Sequence, residues 1–77
     1  MGTSLAARPD TRLLPAGESL WRVVDPRGIV IGHIQELTDG ADTRFRARLY
    51  RPSRGSFLEL GEFWSQDQAI ECLRLTH

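Results

Sequence analysis

The chain predicts an α+β fold, an antiparallel β-meander of three to four strands with one C-terminal α-helix packed on one face. Three observations carry that expectation. Residues 43–50 alternate strictly, with Phe45, Ala47 and Leu49 on one side and Arg44, Arg46, Arg48 and Tyr50 on the other, the pattern of a half-buried strand. Other short apolar or β-branched stretches precede and follow it, separated by turn residues. The period then changes at Ser65, after which Ala69, Ile70 and Leu73 share one stripe of a helix, with Cys72 at its border.

In chain order, residues 1–17 mix Gly, Pro, Ser, Thr and Arg, and Pro9 and Pro15 interrupt any helix. They are expected as a flexible N-terminal arm before a single domain over residues 18–77. Leu20–Asp25 reads as the first strand, with Trp21 and Val23 on one face. Asp25-Pro26-Arg27-Gly28 is a turn, because Pro26 presets its own φ and Gly28 accepts positive φ. Ile29–Leu37 is the second strand, and Gly32 in its middle signals a bulge or a close backbone approach. An Asp39-Gly40 turn leads to the arginine strand, and Pro52-Ser53-Arg54-Gly55 turns the chain again. Ser56–Phe63 is the fourth strand. Phe63 is out of phase with Leu58 and Leu60, and a bulge at Gly61 would restore it.

Ser65 is the expected N-cap of a helix over residues 66–75. Gln68 completes a capping box on the Ser65 N–H, Trp64 staples against Ala69, and Asp67 and Arg74 suit the two ends of the dipole. The expected core is Trp21, Val23, Ile29 or Val30, Ile31, Ile34, Phe45, Ala47, Leu49, Leu58, Leu60, Phe63, Ala69, Ile70 and Leu73. In this meander Leu20–Asp25 is an edge strand, and pairing through it would give a symmetric dimer.

With 77 residues, 40% hydrophobic and 26% charged, the chain allows one globular domain at most. No apolar run approaches the roughly 20 residues that span a bilayer, so no membrane partner is expected. Residues 1–12 lack the apolar centre of a secretory signal, and Cys72 alone cannot form an internal disulfide, so a cytoplasmic setting is expected. The formal net charge is zero. All basic residues are Arg, and Arg44, Arg46, Arg48, Arg51 and Arg54 cluster with no acid among them.

A resemblance rests on Trp21, the turn Asp25–Gly28, the strand Arg44-Phe45-Arg46-Ala47, and the run Phe63-Trp64-Ser65-Gln66-Asp67-Gln68-Ala69-Ile70. Over roughly residues 19–75 these resemble the arm-type DNA-binding domain of phage and transposon integrases. The plant ethylene-response-factor and methyl-CpG-binding domains are similar in outline. The resemblance implies that the exposed sheet face enters the DNA major groove, with Arg44, Arg46 and Arg48 near bases or phosphates.

Taken on their own chemistry, three arginines at alternate positions stand about 7 Å apart, a spacing suited to successive phosphates. The opposing expectation is a solvated face on which each Arg pairs with an acid of the neighbouring strand, Glu36, Glu59 or Glu62. Tyr50 and Phe57 flank a hairpin turn and are expected to show a face to a partner, whereas Trp21 and Trp64 are expected in the core. His33 is expected as a partly exposed strand residue. His33, His77 and Cys72 build no zinc site, and neither a nucleophile triad nor a phosphate loop is spaced in the chain, so no metal, cofactor or enzymatic activity is expected. Zero net charge removes the long-range attraction that DNA binders use. The primary expectation is therefore a protein-interaction or self-associating module, with a DNA-binding accessory protein as the alternative. The candidate contact residues are Arg44, Arg46, Arg48, Tyr50, Arg51, Arg54 and Phe57.

Overall fold

The structure is a computed structural model and describes residues 11–76. Five antiparallel strands and one helix follow one another: β1 (Arg12–Gly17), β2 (Leu20–Val24), β3 (Val30–Asp39), β4 (Asp42–Arg51), β5 (Ser56–Phe63) and α1 (Gln66–Thr76). The strands lie in the sheet in sequence order, a meander, as short turns between consecutive strands require.

The fifth strand corrects the expected boundary. The sequence places Arg12–Gly17 in an arm, yet it pairs with β2 from Arg12↔Val24 to Gly17↔Leu20. Pro15 is compatible with this because β1 is an edge, where a missing N–H removes no bond to an outer neighbour. Residues 1–10, the rest of the expected arm, lie outside the described residues. With β1 in place, β2 is bonded on both sides, so the expected dimer through Leu20–Asp25 loses its free edge. The edges are β1, with Pro15 and an irregular register between Pro15 and Gly17, and β5, with Glu59, Glu62 and a bulge. Each carries devices that discourage pairing with another strand.

The helix covers one face of the sheet, resting chiefly on β3, β4 and β5. Val23, Ile31, Ile34, Ala47, Ala69 and Leu73 are buried between them, and Leu13, Trp21, Phe45, Leu49, Leu60, Phe63 and Ile70 pack around this centre. Full burial of Ile34 and Leu73 contributes about 2–3 kcal/mol each. Leu73 of the helix packs directly over Gly32. A Cβ there would stand 2.2 Å from the Arg48 carbonyl oxygen and 2.6 Å from Leu73 Cδ2, so the expected close approach is real. Of the expected pair Ile29 or Val30, Val30 is the half-buried one, and the core expectations not met are Leu58 and Trp64. Ile29 belongs to the exposed β2–β3 turn, and Leu58, paired to Leu49 on the helix side, lies toward the open end of β5 and is 41% exposed.

The capping of α1 follows the sequence with one change. Ser65 Oγ accepts the Gln68 N–H at 3.1 Å, while Gln68 Oε1 accepts the Trp64 N–H at 3.1 Å, one residue earlier than expected. Trp64 is 68% exposed, which corrects its expected place in the core.

The β2–β3 turn is organised by Asp25. Its Oδ1 accepts the Arg27 and Ile29 N–H groups, each at 2.9 Å, and Oδ2 pairs with Arg27 Nη2 at 3.2 Å. These donors, led by Ile29, hold the Asp25 carboxyl below its usual value despite its burial.

Candidate binding face

The face of the sheet away from the helix carries the candidate residues, and the register places them in rows across the strands. One row reads Leu14, Arg22, His33, Arg48, Glu59, from β1 to β5. The next reads Leu20, Gln35, Arg46, Glu62, and beyond it Leu37 stands opposite Arg44. Glu59 and Glu62 are three residues apart, so a regular strand would turn them to opposite faces. The bulge in β5 prevents that. Gly61 stands opposite Ala47 with φ 139°, Glu59 stands opposite Arg48, and the extra residue Leu60 packs against the core. One irregularity thus returns Phe63 to the helix side, as expected, and delivers both glutamates to the arginine face.

The arginine stripe is consequently divided. Arg46 is held between two acids, with Nε 3.0 Å from Glu59 Oε2 and Nη2 3.3 Å from Glu62 Oε2. The shorter contact is an ion pair rather than a hydrogen bond, since Nε has no partner in line although water does not reach it. Arg44 Nε lies 3.7 Å from Glu62 Oε1, and its guanidinium sits 5.9 Å from the centre of the Trp64 ring. For these two arginines the expectation of cross-strand pairing holds, with Glu59 and Glu62 as the acids. Glu36, also expected as a partner, stands opposite Phe45 in the rows of the helix side. Arg48 and Arg22 have no acidic partner among the described residues.

Beside this unpaired charge lies an aromatic group. The His33 and Phe57 rings stack with centroids 4.7 Å apart and planes 24° from parallel, and Tyr50 tilts against Phe57 at 5.1 Å. Tyr50 and Phe57 are cross-strand partners, and Phe57 is 42% exposed, so both lie where expected. His33 is half-buried, as expected. Partial burial, then the charges of Arg22 and Arg48, push its pKa below the usual 6.5, so the ring is neutral at physiological pH. Arg51 and Arg54 do not join this group. Strand alternation turns Arg51 to the side opposite Tyr50, and Arg54 projects from the exposed turn closed by the Arg51 carbonyl, which accepts the Arg54 N–H at 3.0 Å.

Arg22 and His33 were not among the candidates. The signal that could have found them is the pairing of β2 with β3, which sets Arg22 beside His33 and His33 beside Arg48. On the helix side, a cleft of about 960 Å³ runs between α1 and β1–β2, with Leu13, Val23, Phe63 and Ile70 among its walls. Among the described residues, no group of three or more His, Cys, Asp and Glu comes together as a metal would require, and no helix is long and apolar enough to cross a membrane.

No family model, curated protein or solved structure matches this chain.

Proposed function

We propose that this domain is a non-enzymatic binding module that takes a protein partner on the open face of its sheet. The observation that carries this reading is the division of the arginine stripe. Arg44 and Arg46 are largely neutralised by Glu59 and Glu62, while the exposed Phe57 and the half-buried Tyr50 adjoin His33 and the row that carries the uncompensated Arg22 and Arg48. Exposed aromatic rings next to arginine suit the centre of a protein interface, where Tyr, Trp and Arg supply most of the binding energy. A DNA-binding accessory protein of the integrase-arm type would need all three arginines of β4 free for phosphates and bases. The two glutamates and the zero net charge oppose that alternative.

Two measurements test the proposal together. A fluorescence-anisotropy titration with random-sequence duplex DNA at low and physiological salt is expected to show no salt-sensitive binding. Affinity capture after nuclease treatment is expected to retain a protein that both Phe57→Ser and Tyr50→Ser variants lose. Tight DNA binding that weakens steeply with salt and disappears in Arg48→Glu would overturn the protein reading in favour of DNA.

A further inference from the structure

We infer that Arg22, His33 and Arg48 form an anion-binding row, and that its ligand is an acidic peptide segment of the partner protein. This inference rests on the protein-binding reading of the same face and names the chemistry of the partner.

The three residues stand side by side on three adjacent strands, Arg22↔His33↔Arg48. Neighbouring strands are about 4.8 Å apart, so the two arginine Cα atoms are separated by about 10 Å with the imidazole between them. Two guanidiniums at that separation can converge on one carboxylate or hold two neighbouring ones, through charge-assisted hydrogen bonds.

Charge bookkeeping locates the excess. The three rows hold four arginines, Arg22, Arg44, Arg46 and Arg48, against two glutamates, Glu59 and Glu62. Both glutamates are engaged by Arg44 and Arg46, so the uncompensated charge falls on Arg22 and Arg48. Glu59 stands opposite Arg48 yet is drawn to Arg46 instead. Partial burial first, and then the charges of Arg22 and Arg48 on either side, lower the pKa of His33 within the row.

The extent of the patch selects the ligand. The row ends at Leu14 on one side and at the engaged Glu59 on the other, and the adjacent row is neutralised at Arg46. A nucleic-acid strand needs a basic track continuing from phosphate to phosphate. A patch of two free guanidiniums beside Phe57 and Tyr50 instead fits one or two carboxylates next to an apolar side chain.

A pH response follows from the placement of His33. It is faced by Arg22 from β2, by Arg48 from β4 and by the Phe57 ring from β5, with Glu59 held away by Arg46. Bound carboxylates offset the two guanidiniums, so His33 takes up a proton more readily in the complex. Each unit of rise in its pKa strengthens binding by up to about tenfold, fully developed once the pH is below the free-state pKa, so affinity increases on acidification.

The test uses a fluorescent peptide with four consecutive glutamates, its glutamine counterpart and an oligothymidylate, each titrated into the full chain. Only the glutamate peptide is expected to bind, with amide shifts centred on residues 22, 33 and 48 and a raised His33 pKa in the bound state. Arg22→Gln and Arg48→Gln, each with a native-like amide spectrum, are expected to weaken binding by about tenfold or more. Arg44→Gln, which leaves Glu59 on Arg46, is expected to leave it largely unchanged, and His33→Gln to bind with the pH dependence lost. Equal binding of the glutamine peptide, preference for the oligothymidylate, or indifference to Arg48→Gln would overturn the inference. Failure of the glutamate peptide while Phe57-dependent capture persists would defeat this inference alone. Loss of that capture as well would defeat the protein-binding reading with it.

Discussion

β4 turns Phe45, Ala47 and Leu49 toward the helix and Arg44, Arg46 and Arg48 away from it, and the two sides are constrained differently. On the helix side position is decisive. Ala47 and Ala69 are small because α1 lies close to the sheet, and Gly32 lacks a side chain because the Arg48 carbonyl and Leu73 occupy its space. On the open side the backbone fixes only which residues are neighbours. Identical side chains on one strand then acquire different environments: Arg46 lies between two acids, and Arg48 stands beside the His33 imidazole with Glu59 drawn away to Arg46. A periodic stripe of one residue type therefore need not act as one surface.

The largest expected effect tests the helix side. Gly32→Ala places a methyl against the backbone of β4, which cannot move without parting β3 from β4. A loss of about 3 kcal/mol or more is expected, read as a fall in the denaturant midpoint. A loss under about 1 kcal/mol would show that the close approach is easily relaxed.

On the open side a pair of double-mutant cycles sharpens the contrast. Arg46 with Glu62 is expected to give a coupling of about 0.2–1 kcal/mol, in the range of partly exposed ion pairs. Arg48 with Glu59, although directly opposite, is expected to show coupling near zero because Glu59 is turned toward Arg46. Equal coupling in the two cycles would mean that the stripe behaves uniformly after all.

The smallest effect is the response of stability to pH. His33 in the fold holds its proton less well than an ordinary imidazole, so the native state is favoured fully above 6.5 and loses that advantage as the pH falls below it. Asp25 is also depressed, from 3.8, so its contribution is complete above that value and declines only as the pH falls through the lower folded one. The melting temperature is expected to fall in two stages on acidification. His33→Gln should remove the upper stage and leave the lower.

Much of this architecture was legible because local signals agreed. The alternation over residues 43–50, the Ser65 cap, the Gly61 bulge and the exposed Phe57 each follow from a physical rule acting over a few residues. What was missed depends on neighbours across the sheet. β1 is short and contains a proline, so its strand character rests on pairing with β2 rather than on its own pattern. Trp64 has the composition of a core residue, but it precedes the cap at the margin of the sheet, where Arg44 meets it. The division of the arginines follows from Glu59 and Glu62 sharing one face. The bulge had been inferred for the sake of Phe63, and its effect on the glutamates emerges only when the register of β5 against β4 is known.

The nearest-neighbour order of the strands bears on how the chain reaches this state. Each strand pairs only with the strands before and after it, so the sheet can grow one hairpin at a time, closing only short loops. The helix rests chiefly on β3, β4 and β5, the hairpins made last in chain order, and it completes their core. Besides the packing of Leu13 against the core, β1 is joined to that unit through its pairing with β2. As an edge strand it is expected to open more readily than the inner strands, and hydrogen exchange is expected to find amide protection least on β1 and greatest on β3 and β4.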